Sequence, residues 1–183
     1  HILGPHHPDT LTARNNLATA YHDAGRLNEA IPLHEQNLKD RTHILGPHHP
    51  DTLNSRNNLA GAYDDAGRLD DAITLHEQTL TDSTRILGPH HPDTLTSRNN
   101  LANAYRDTGR LDEAITLYER NFEDCIRILG PHHPHTLTSR NNLASAYRAA
   151  GRIEEAEKLF ETPSGSEDEQ NGTDDGPQKE AGD

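Results

Sequence analysis

The stretch Ile86–Ala102, "ILGPHHPDTLTSRNNLA", decides how the chain is read, because its opening hexapeptide "ILGPHH" starts at Ile2, Ile44, Ile86 and Ile128. The copies are spaced 42 residues apart without drift. A fixed period of this length marks a repeat architecture, in which each unit is a supersecondary element that buries its apolar face only against its neighbours. Four units fill residues 1–161, and residues 162–183 differ in kind.

Two breaks divide each unit. In the second they are Gly67 and Gly88-Pro89. Pro50 suits a first helical turn, where its missing N–H has no intrahelical partner, and Asp51 favours the positive end of the helix dipole. The histidine before it is read as a weak cap. Gly67 can end the first helix in the left-handed conformation, and Leu69–Leu87 forms the second. Across the array the predicted helix pairs span about 8–43, 50–87, 92–129 and 134–161. Leu17, Ala18 and Tyr21 share the apolar side of the first helix; Leu27, Ala30, Ile31, His34, Leu38 and Leu45 share that of the second. The expected fold is all-α, a right-handed α-solenoid of antiparallel two-helix repeats. Apolar residues recurring every three to four positions exclude strands. A leucine-rich repeat would need its asparagine in an extended run. HEAT or armadillo units, of about 40–47 residues, fit less well with the fixed glycine between the helices.

"NNLA.AY...GR..EAI.L.E..L" resembles the tetratricopeptide repeat. The 42-residue form with "LGPHHPDTL" is similar to the repeats of kinesin light chain and of arrays on bacterial signalling NTPases. The resemblance rests on Leu17, Ala18, Tyr21, Gly25 and Ala30, and on Leu59, Ala60, Tyr63, Gly67 and Ala72 in the next unit. It departs from the family at Asn37, Thr79 and Asn121, where a small residue is usual, so a polar contact between second helices is expected. The resemblance implies a protein-interaction module whose first helices line a concave groove. The second asparagine of each "NNLA" matches a position that binds a peptide backbone in that family. This carries over to Asn16, Asn58, Asn100 and Asn142. An amide side chain can both donate to and accept from a peptide unit. The asparagine pairs could instead tie neighbouring repeats, and the sequence leaves both roles open.

Further polar residues extend this stripe. Thr19 and Asn103 lie on the same side of the first helix, as do Asp65 and Asp107. One position carries His22, Asp64, Arg106 and Arg148 in turn, so the groove is acidic early and basic in the last unit. The family's carboxylate-gripping lysine is replaced by Asn15, Asn57, Asn99 and Asn141, which favours an internal, extended peptide segment as ligand.

The 183 residues carry a formal charge of -13, which argues against nucleic acid as a partner. Residues 162–183 hold seven acidic residues and one lysine, and this tail is expected to be disordered. No apolar run is long enough for a membrane span. Fourteen histidines invite a metal, but zinc needs three or four ligands converging at about 2.0–2.3 Å. The His-His pairs recur one repeat apart, so no metal or other cofactor is expected. Nor is catalysis, since no nucleophile, base and orienting group recur together. The lone Cys125 fits a reducing, cytoplasmic compartment. The chain opens within a repeated linker, so it is expected to be a piece of a longer protein. Alternatives to peptide binding are packing on an upstream NTPase domain and end-to-end self-association of near-identical units.

Overall fold

The computed structural model describes residue 4 and residues 6–161; the acidic tail lies outside the described residues. Among the described residues eight helices follow one another: α1 (Pro8–Asp23), α2 (Leu27–Leu45), α3 (Pro50–Asp65), α4 (Leu69–Leu87), α5 (Pro92–Asp107), α6 (Leu111–Leu129), α7 (Pro134–Ala149) and α8 (Ile153–Lys158). Each packs on the next, and α1 also touches α3. Odd-numbered helices are the first helices of the units. Antiparallel pairs stacked in this order form the expected α-solenoid.

The turn inside each unit follows from its glycine. Gly67 has φ of 74°, a conformation open to glycine without a Cβ clash. Its N–H donates to Asp64 O at 2.9 Å and that of Arg68 to Tyr63 O at 2.8 Å. This pair of bonds is a Schellman motif, which satisfies the last carbonyls of α3. The Arg68 guanidinium then lies 3.8 Å from the centroid of the Tyr63 ring.

The start of each first helix corrects the sequence reading. The second histidine of each pair is an effective N-cap: Nδ1 of His7, His49, His91 and His133 accepts from the backbone N–H two residues on, each at 3.2 Å. The ring nitrogen does what a serine or aspartate oxygen does elsewhere. The first histidine has a separate task. His90 Nδ1 lies 3.4 Å from Asp124 Oδ1 and its ring contacts Arg127, while His48 stands likewise beside Asp82 and Arg85.

The apolar core is divided between units. Leu59, Tyr63 and Ala72 pack with Ile31, Leu38 and Leu75; Ile73, Leu101 and Ala104 pack with Leu80, Tyr105 and Leu117. A larger cluster closes the last two units around Tyr118, Leu143 and Tyr147. Leu17, read from the sequence as part of the apolar side, is 48% exposed, against 4% for its counterparts Leu59 and Leu101. Those counterparts face the second helix of the preceding unit. The polar contact expected between second helices is made instead from second helix to first helix: Asn37 Nδ2 donates to Asn15 Oδ1 of its own unit at 3.3 Å and to Ser55 Oγ of the next at 3.4 Å, and Asn121 Nδ2 to Ser139 Oγ at 3.3 Å.

Candidate functional site

The first helices lie side by side and present the polar stripe on their shared face. Among its asparagines, Asn16 is exposed and Asn58, Asn100 and Asn142 are half-buried. Two of them bond to the preceding unit: Asn58 Nδ2 donates to Asn15 Oδ1 at 3.2 Å, and Asn142 Nδ2 to Asn99 Oδ1 at 2.8 Å. Each "NNLA" pair is thus one rung of a ladder running across the repeats. At the middle step the rung is open. Asn57 Nδ2 turns to Ser97 Oγ at 3.4 Å, and Asn57 Oδ1 is buried without a hydrogen-bond partner among the described residues.

The remaining predicted residues separate by position. Asn100, Asn103 and Asp65 line one concavity together with His22, Asp64 and His76. Asn103 Oδ1 accepts from the Tyr118 hydroxyl, and Asp65 pairs with His22 Nε2 at 2.5 Å. Arg106 is drawn to its neighbour, Nε donating to Asp107 Oδ1 at 3.0 Å. Thr19 is half-buried on α1, away from this concavity. Arg148 stands exposed on α7 at 5.9 Å from the centroid of the Phe160 ring. The concavity therefore gathers part of the stripe, from α1, α3 and α5, and leaves the last unit apart.

One of the titratable groups there, His76, was missed as a site residue in the sequence, whereas Asp64 was already placed on the groove. His76 sits on α4 and is only 3% exposed; burial pushes its imidazole down to about 4. Asp64 is raised above the ordinary carboxyl range, first by burial and then by the charges of Asp107 and Asp65. Cys125 is also buried, which raises its thiol and leaves it a poor nucleophile. Among the described residues no group of three or more histidine, cysteine or acidic side chains is placed to hold a metal ion. No helix among them is long and apolar enough to cross a membrane.

These features define a helical-repeat scaffold with a polar inner face. The chain belongs to the tetratricopeptide repeat family, whose model matches residues 1–39, 9–82, 65–120 and 93–162. Its repeats are of the kinesin-light-chain-like type. They are similar to the nearly identical TPR-like repeats of a putative kinesin light chain from Podosopora anserina, at 36% identity over 86% of this chain and 74% of that one, with a TM-score of 0.74. A variant of that protein superposes with a TM-score of 0.76 at the same identity and coverage. BtubC from P. vanneervenii shares the fold at 22% identity over 84% of this chain and 62% of its own, with a TM-score of 0.74. No curated protein matches the chain. Arrays of this family generally serve as protein–protein interaction modules.

Proposed function

We propose that the array binds an extended peptide segment of a protein partner along the face made by its first helices. The observation that carries this reading is the concavity lined by Asn100, Asn103 and Asp65, built from three successive units. Neutral amides and carboxylates arranged along neighbouring helices suit a peptide backbone and its side chains. A buried free thiol at Cys125 supports action in a reducing, cytoplasmic compartment.

The test is binding by the chain and by its Asn100→Ala/Asn103→Ala variant to partners captured from the native source. Loss of the captured protein with unchanged helicity is expected. Equal capture by both forms would overturn the groove assignment.

A second reading, end-to-end self-association, is favoured by the near-identity of the units, which gives a unit at either end the residues that are buried between units. Leu17 is solvent-exposed on α1, whereas Leu59, Leu101 and Leu143 are covered by the preceding unit's second helix. A second copy could offer α8 with Ile153 and Phe160, both exposed, as a heterologous contact. Sedimentation should show concentration-dependent assembly that Leu17→Glu suppresses; a monomer up to millimolar concentration would exclude it.

A further inference from the structure

The inner face changes abruptly at the second unit, and the cause is one missing side chain. Where the other units have Thr19, Asn103 and Ser145, the second has Gly61. The repeat-equivalent residues His34, His76, Tyr118 and Phe160 follow later in each unit; Tyr118 reaches Asn103, and His76 lines the same space as Gly61. In the third unit the space is closed, because the Tyr118 hydroxyl reaches Asn103 Oδ1. In the second unit Gly61 has nothing to offer His76. The result is a concavity of about 210 Å³ with His76 at its base.

Three polar atoms around this space are buried without hydrogen-bond partners among the described residues: His76 Nδ1, Asp64 Oδ1 and Asn57 Oδ1. Native interiors seldom leave such groups unmatched, and each one calls for an explanation. All three can accept. A carboxylate oxygen and an amide oxygen only accept, and neutral imidazole accepts at Nδ1 when Nε2 holds the proton. The lining also includes the Asp65 carboxylate, and Asp107 is close enough to act on Asp64. Arg106, the cation that also acts on Asp64, has its Nε and a terminal nitrogen engaged by Asp107. The matching group must therefore bring donors and positive charge.

Resting on the groove reading above, we infer that this concavity is a specificity pocket for one basic side chain, lysine or arginine, of the bound peptide. An ammonium carries three donors and a guanidinium five, with no acceptor on either. Asp64, Asn57 and His76 would receive them once a side-chain rotation turns their buried acceptor atoms into the space, while Asp65 supplies further negative potential at the rim. The basic last unit, with Arg148 on α7, would disfavour the same side chain there. The pocket so fixes the register of the segment at the second and third units.

The test uses the full chain, isotopically labelled, and four terminally blocked Gly-Ser host peptides bearing one central lysine, arginine, norleucine or glutamate. Side-chain amide resonances of Asn57, Asn100 and Asn103 and the His76 ring report occupancy. The lysine or arginine peptide should bind at least about tenfold more tightly than norleucine, with no binding of glutamate; whichever basic peptide is tighter names the preferred head group. Gly61→Asn/His76→Tyr installs the third unit's own pair and should fill the space in a folded protein. Its predicted result is a loss of about tenfold or more for the basic peptides, and Asp64→Asn should do the same while raising the melting temperature. A side chain that merely supports the fold would not combine weaker binding with greater stability. Equal binding of norleucine and lysine at these resonances would overturn the pocket but retain the groove. An unchanged affinity in Asp64→Asn would also overturn the pocket. If no peptide moves any resonance on the inner face, both the pocket and the groove reading fall.

Discussion

Arg98 donates to Asp124 Oδ2 at 2.8 Å and to Pro89 O at 3.1 Å, so one buried guanidinium ties the linker before a unit to the end of that unit's second helix. The contact recurs as Arg56 with Asp82 and as Arg14 with Asp40. Burial would raise the Asp124 carboxyl, but hydrogen bonds from Arg127 and Arg98 outweigh it and hold the group below its ordinary value. Arg98→Ala should cost about 2 kcal/mol in urea unfolding, since Asp124 keeps Arg127 at 2.6 Å and loses one charge-assisted hydrogen bond. The pair's contribution is present above pH of about 4 and should be lost as pH falls through the depressed value. Arg140 occupies the same position in the last unit, whose second helix α8 spans only Ile153–Lys158. Its guanidinium instead lies 4.7 Å from the Phe160 ring centroid. Arg140→Ala should cost about 1 kcal/mol at most.

The histidine caps give a second prediction. His91→Ala removes the acceptor for the Asp93 N–H and should destabilise the array by about 1 kcal/mol, within the range found for lost N-caps. His91→Asp should retain the bond and add favourable charge at the helix start. Thermal melts of the two variants decide the matter: equal stability of His91→Ala and the parent would show that Pro92 and Asp93 suffice.

His76 predicts a stability loss in mild acid. Its folded value near 4 lies below the ordinary 6.5, so the unfolded chain binds the proton more readily. The neutral ring's contribution is complete above about pH 6.5 and declines as pH falls toward 4. Between pH 7.5 and 5 the loss should be about 2 kcal/mol. His76→Tyr, the residue type found at this place in the third unit, should flatten the slope over that interval in denaturant unfolding. A parallel slope in both proteins would assign the acid sensitivity elsewhere.

Much of this fold was legible because the signals repeat. Gly67 and Gly88-Pro89 punctuate the chain, and Leu69–Leu87 falls between them as a helix. The cap at His91 was not legible, because histidine is an uncommon N-cap and only the ring's orientation reveals Nδ1 on the Asp93 N–H. The stripe from Asn16 to Arg148 could be drawn on a helical wheel, but a wheel has no depth. It could not show that Arg106 turns to Asp107, or that Asn100 and Asn103 line a concavity whose walls do not include Arg148. The substitution of Gly61 for Asn103 was visible in the alignment of units. Its consequence required knowing that His76 and Tyr118 face those two positions from the second helix.

The asparagine ladder separates two side chains that the sequence treats as equivalent. Asn58 donates to Asn15 across the unit boundary, whereas Asn100 lines the concavity and leaves Asn57 Oδ1 without a partner. In Asn58→Ala the Asn15 carbonyl loses one donor but keeps Asn37 at 3.3 Å. The cost should therefore sit near a typical net hydrogen bond, about 1 kcal/mol, rather than the larger penalty of a fully orphaned acceptor. Asn100→Ala removes no such bond, and alanine is the better helix former. Its stability should remain within about 0.5 kcal/mol of the parent or rise slightly. Binding should respond in the opposite order, because Asn100 borders the proposed pocket while Asn58 is engaged within the ladder. Denaturant unfolding of the two single variants gives the first half of this comparison without any ligand. The peptide titrations give the second. Equal destabilisation by more than about 1 kcal/mol in both would make Asn100 a structural rung like Asn58, and the repeated "NNLA" would then be scaffold throughout.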